Sequence, residues 1–220
     1  MPLPRSFLMW ASLLLAVPTG ALAQVCRGTM PLSGISLGHV SAAASLFDGG
    51  KTYGGAVTLG SSLFGSASYN LTKYEAGTDL HMNTVGGSLG YEITPEESGL
   101  SVCPVANVGY GFGYQLVGLD LTVLAISGGA SFGYRVELEP DVFVVPSVEL
   151  GLARDRVHSD AGASGTSTSH ETYGLVTLSM GFLMRRQHAS MAPSIQLPVS
   201  ADGRTARFGL SLAFGFGGGA

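Results

Sequence analysis

Charge is scarce in this chain. Charged residues make up 12% of the 220 residues, against 45% hydrophobic ones. An ordinary soluble domain carries about 25% charged residues, so there is little material here for a water-facing surface. Basic clusters are missing too. With 11 Lys and Arg against 15 Asp and Glu, the net charge is −4, which gives no footing for nucleic acid. After the N-terminal segment no stretch offers the roughly 18 continuous apolar residues of a membrane helix, so a helical membrane protein is not expected. There are two cysteines, Cys26 and Cys103, and no histidine stands near either in ligand spacing, which excludes a structural zinc site. No cofactor signature is present.

The one apolar run, Phe7 to Val17, follows Arg5 and precedes the small-x-small sequence Ala21-Leu22-Ala23. This order predicts a cleaved secretory signal over 1–23 and a mature domain over 24–220 beginning at Gln24. Val25 stands where a lipoprotein signal needs a small residue, so lipidation of Cys26 is not expected. In an exported chain, a pair of cysteines favours a disulfide between Cys26 and Cys103; the alternatives are two free thiols or an intermolecular bridge.

What is abundant is glycine, 33 residues, placed in alternation with bulk. In the run 108–115, Tyr110, Phe112 and Tyr114 alternate with Gly109, Gly111 and Gly113. Successive strand residues point to opposite faces, so one face of this strand is predicted wholly aromatic and the other nearly bare. Val85, Leu89, Tyr91 and Ile93 likewise oppose Gly86, Ser88, Gly90 and Glu92. Leu124, Ile126, Phe132 and Tyr134 oppose Ser127, Gly129, Ser131 and Arg135. Val144, Val148, Leu150 and Leu152 oppose Ser147, Glu149 and Gly151. Phe208, Leu210, Leu212, Phe214 and Phe216 oppose Arg207, Gly209, Ser211, Ala213 and Gly215. Apolar residues on one face with small or polar ones on the other describe a wall between lipid and a lumen. The fold expected is all-β: a closed antiparallel transmembrane barrel in the outer membrane.

Ten strand-like runs fit, at 35–46, 53–60, 63–74, 82–93, 102–115, 122–136, 142–153, 172–184, 191–199 and 205–216; eight is the alternative if the second and ninth are not separate spans. The first run, with Val40-Ser-Ala-Ala-Ala-Ser45, lacks bulk and does not set its own register. If the first strand rises from the periplasm, the long polar connection 154–170 falls outside. The turn Pro95–Gly99 then falls in the periplasm, which puts Cys103 at the same end as Cys26. Bacterial barrels have even strand numbers, short periplasmic turns and longer external loops.

Four charged residues fall on the small-residue face: Glu92, Arg135, Glu149 and Arg207. An unpaired charge in a narrow interior is costly, so they are expected to pair with one another or meet lumen water, as an ion-pair plug or as the lining of a conduction path. His81, His158 and His170, near Asp79, Asp155, Asp160 and Glu171, are the candidates for rim chemistry. They sit in segments read as Gly/Ser-rich loops, without the rigid support a catalytic triad needs, and a non-enzyme is expected. Lys51, Lys73 and Arg154 fall near the outer strand ends, where they either snorkel or meet lipid phosphates.

With signal, alternation and an aromatic closing strand in place, the chain resembles the small outer-membrane β-barrel superfamily, similar to the outer membrane protein A, X and W groups. The resemblance implies a monomer embedded among outer-membrane lipids. It also implies insertion by the barrel-assembly machinery, which reads a terminal aromatic. Phe214 and Phe216 stand in that place, with Gly217 to Ala220 following them. Functions within the superfamily are diverse. The first expectation is a structural or surface-interaction barrel. The alternatives are a narrow pore for ions or small solutes, an enzyme acting on lipid or peptide, and a soluble exported barrel with an apolar interior.

Overall fold

The structure is a computed structural model that describes residues 38–60, 63–75, 80–93, 100–116, 119–162, 165–184, 188–200 and 204–216. The expected signal segment, Cys26, the turn Pro95–Gly99 and the tail Gly217–Ala220 lie outside the described residues.

The strands are β1 (Gly38–Phe47), β2 (Gly50–Gly60), β3 (Leu63–Tyr74), β4 (His81–Tyr91), β5 (Leu100–Leu116), β6 (Leu119–Tyr134), β7 (Val136–Glu139), β8 (Val142–Asp160), β9 (Thr166–Met184), β10 (Ala189–Val199) and β11 (Arg207–Phe216). Apart from β6 and β7, consecutive strands pair antiparallel; β1 pairs with β11, and β6 pairs with β8. The short β7 continues β6. Gly133 faces Ser147 and Val136 faces Val144, one register on either side of Arg135. The wall is therefore a closed barrel of ten strands. Closure removes the edges that an open sheet would have to protect.

The bulky residues point out. Leu46, Tyr53, Tyr69, Leu89, Tyr110, Ile126, Leu150, Leu152, Phe208 and Phe214 are all exposed, an arrangement that only hydrocarbon makes favourable at this scale. On β8 the outward positions from Val142 to Leu152 are uncharged, and Arg154, Arg156 and His158 follow. Ten residues cover about 33 Å along a strand, and at a tilt of roughly 40° this is about 25 Å of height, the usual thickness of the apolar band. This outward belt on a closed wall is the surface of a barrel that spans a lipid bilayer.

The inward positions carry hydroxyls, amides and a few charges. Thr52 Oγ1 and Thr72 Oγ1 are 3.0 Å apart, Ser66 Oγ and Ser88 Oγ 2.6 Å, Ser147 Oγ and Ser179 Oγ 2.7 Å, and Asn107 donates to Ser127 at 3.1 Å. Each is a cross-strand pair on the lumen face. The lower lumen holds Phe64 packed with Cys103 and Val105. The Phe64 ring lies across Gly90, where a Cβ would collide with it.

Two sequence expectations change, and one open register is fixed. Tyr114 does not share the outer aromatic face. The register between β5 and β6 shifts between Gly111 and Tyr114, and Gly113 sits at φ +80°. This bulge inserts one residue and turns the Tyr114 ring into the barrel, where it is buried. The segment 154–170 is not a loop either. β8 runs to Asp160 and β9 starts at Thr166, paired residue for residue up to Asp160 opposite Thr166. Together with the long β5 and β6, they form a four-stranded wall that rises above the apolar belt on one side. The small first strand gains its register from its partners. Ala42 and Ala44 lie beside Leu212 and Leu210 of β11, which supply the bulk it lacks.

Candidate functional site

The site forms where the raised wall meets the last connection. Asp155 of β8 and Glu171 of β9 are directly opposite each other on the inner face. Two carboxylates in that relation repel, and Asp155 is 1% exposed. The compensating charge comes from Arg204, which lies between β10 and β11 and reaches into the mouth of the lumen. Its Nη2 donates to Asp155 Oδ2 at 2.8 Å and to Glu171 Oε2 at 2.7 Å. Its guanidinium lies over the Tyr173 ring, 3.7 Å from the centroid, a geometry that favours a partly desolvated cation. The Tyr173 hydroxyl donates to Asp155 Oδ2 at 3.1 Å. Burial opposes the Arg204 charge, but its carboxylate and tyrosine neighbours outweigh it, and the guanidinium pKa is raised. Arg204 thus works as a latch, pinning the segment before β11 against the inside of the wall.

The rest of the mouth is filled by apolar groups. Tyr74, Leu80, Met82, Tyr114, Leu121, Val123 and Val157 pack as one buried cluster, with Phe47 against it. Phe47 meets Tyr74 edge-on at 6.2 Å, and Tyr74 meets Tyr114 edge-on at 5.5 Å. The Arg207 guanidinium sits 4.5 Å over the Phe47 ring. Among the described residues, Asp155 and Tyr173 line one small gap of about 10 Å³ with Asn107 and Ser127, room for about one water molecule. A water-filled pore leaves its lining exposed, whereas here Thr52, Thr58 and Thr177 in the shaft are 1–2% exposed. Around these threonines the shaft is tightly packed, while Ser41, Ser45, Ser66, Ser88 and Ser127 on the same inner face are half-buried.

The four lumen charges expected from sequence separate. Glu149 and Arg207 are buried on the inner face, in one cross-strand row with Thr177 and Gln196 between them. Glu92 is half-buried just past β4. Arg135 is exposed at the lower mouth, its Cζ 5.3 Å over the Phe143 ring. It stands at the junction of β6 and β7, where the inward alternation is interrupted. Of the disulfide pair, Cys103 is buried against Phe64 and Val105, and Cys26 lies outside the described residues. The sequence sets Asp155 and Glu171 beside His158 and His170 as candidates for rim chemistry. In the structure the carboxylates face in, while the histidines face out, His158 against Thr168 at 3.1 Å. Opposite faces of a wall cannot form a triad. The latch itself was missed. Its signal was the odd-numbered alternation continuing from Ala153 through Asp155 and Val157, which the polar composition of the segment hid.

No protein-family description matches the sequence, and no curated protein matches it. Solved structures do. The β domain of the Bordetella autotransporter BrkA superposes with a TM-score of 0.50 at 14% identity, covering 82% of this chain and all of that one. The N-terminal β-barrel domain of Pseudomonas aeruginosa OprF (TM-score 0.37, 13% identity, 81% and 96% covered) and Neisserial surface protein A (TM-score 0.38, 16% identity, 84% and 100% covered) are also similar. The fold is that of the bacterial outer-membrane β-barrels.

Proposed function

We propose that this protein is a structural and surface-interaction barrel: a closed, monomeric plug in the outer membrane that holds a rigid external sheet in position. The observation that carries this reading is the latch of Arg204 on Asp155 and Glu171, set in a mouth packed with aromatic and aliphatic side chains. A path for solutes would need that packing broken. The raised wall of β5, β6, β8 and β9 supports the surface role. Its outward tip carries Thr122, His158, Thr168 and His170, a polar face on paired backbone rather than on loops. Export through a cleaved signal over 1–23, insertion by the barrel-assembly machinery, contact with outer-membrane lipids and absence of catalysis belong to the same proposal. The test is single-channel recording of the folded protein in a planar bilayer. The proposal expects no stable conductance steps. Steady openings that Glu149→Gln alters would overturn it in favour of the narrow pore.

A further inference from the structure

Above the apolar belt the outer surface of β8 and β9 carries an uncompensated basic patch. Arg154 and Arg156 face outward, two residues apart on β8. Thr172 lies opposite Arg154, and His170 opposite Arg156. On the other flank, Ile126 and Leu124 of β6 stand beside the same two arginines, so no carboxylate adjoins them on the outer face. The nearby acids, Asp155 and Glu171, point inward and are held by Arg204. Among the described residues neither arginine has an ion-pair partner. The outward acids nearest along these strands, Asp120 and Asp160, sit at the tip of the wall, beyond His158.

Height decides what this patch meets. Leu150 and Leu152 below it, and Leu178 on β9, belong to the hydrocarbon belt, so the arginines sit one step above it, at the level of lipid headgroups. A fork of guanidinium donors suits phosphate oxygens in bidentate geometry, and the Thr172 hydroxyl and His170 ring extend the donor set. Resting on the outer-membrane reading above, we propose that Arg154, Arg156, His170 and Thr172 form a binding site for a phosphate group on a phosphorylated glycolipid of the outer leaflet, whose acyl chains lie along Leu152, Val176 and Leu178. Lys51 and Lys73, which face each other across β2 and β3 on a distant part of the wall, are a comparison patch of equal charge without the arginine fork.

The experiment is titration of the folded full chain in detergent with diphosphoryl lipid A, read by native mass spectrometry. Dephosphorylated lipid A and inorganic phosphate serve as separate ligands. The proposal expects saturable 1:1 binding of diphosphoryl lipid A. It expects a loss of at least about tenfold in Arg154→Gln/Arg156→Gln, equivalent to one good charged contact, and a smaller loss in Lys51→Gln/Lys73→Gln. Folding of each variant is checked by its heat-modifiable gel band. Equal binding by wild type and the arginine variant overturns the proposal. So does equal binding of the dephosphorylated lipid, or binding of inorganic phosphate as tight as that of lipid A, which would make the site one for a free anion.

Discussion

Replacing Arg204 with Gln removes, among the described residues, the ion-pair partner that two facing carboxylates share. Asp155 then keeps a single described side-chain donor, the Tyr173 hydroxyl at 3.1 Å. Breaking a buried pair by removing one partner costs about 3–5 kcal/mol, because the other charge stays behind without compensation. Glu171 is 28% exposed and can be hydrated, so its share is small and the lower end, about 3 kcal/mol, is expected. Loss of the stacked guanidinium on Tyr173 adds about 0.5–2 kcal/mol. The assay is urea unfolding of the barrel in detergent micelles, followed by the heat-modifiable gel band and far-ultraviolet dichroism. Arg204→Gln shifts the midpoint down strongly. Asp155→Asn combined with Arg204→Gln is less destabilised than Arg204→Gln alone, because no buried charge is then stranded. A single variant within about 0.5 kcal/mol of wild type, the range of an indifferent surface change, would refute the latch. So would a double variant whose loss equals the sum of the two single losses.

Other consequences are equally specific. Val148→Arg, on the lipid face near the middle of the β8 belt, costs about 2–4 kcal/mol in the same unfolding assay, whereas His158→Arg above the belt costs less than about 1 kcal/mol. Gly113→Ala places a Cβ at φ +80° and 3.0 Å from Asn83 Nδ2. It should lose about 1–2 kcal/mol, whereas Gly65→Ala, whose added Cβ meets nothing closer than the Ser88 carbonyl oxygen at 3.7 Å, stays near neutral. Maleimide labelling of the denatured, exported protein counts no thiols before reduction and two after, if Cys26 and Cys103 are joined; two thiols before reduction would remove the disulfide from the account.

Much of the wall was legible because a strand's period of two leaves little choice. Leu89 and Tyr91 on one face, and Phe208 to Phe216 on another, declare an outward side whatever their neighbours do. Legibility failed where tertiary context overrides the period. Nothing local separates Tyr114 from Tyr110 and Phe112, because a bulge is a disagreement in register with β6. It therefore needs the partner strand to be seen. The stretch 154–170 reads as a loop because Ser, Thr, Gly and charge are the usual composition of loops. Above the membrane a strand no longer needs an apolar face, so composition and conformation part company there. Arg204 was invisible for a related reason: its partners lie 49 and 33 residues away, and only the closed barrel brings them together. Glu149 and Arg207 were found by alternation alone, but alternation assigns a face and does not assign a partner.

The central claim is that lipid bathes the bulky side of the wall. It is tested most directly by tryptophan quenching in bilayers of brominated phosphatidylcholine, in a Trp10→Phe background. Two aromatic exchanges are compared: Phe132→Trp on the outer face and Phe64→Trp on the inner face, where the native ring is 1% exposed. The account predicts strong quenching at position 132 and little at position 64. Equal quenching at both, or the reverse order, would contradict it.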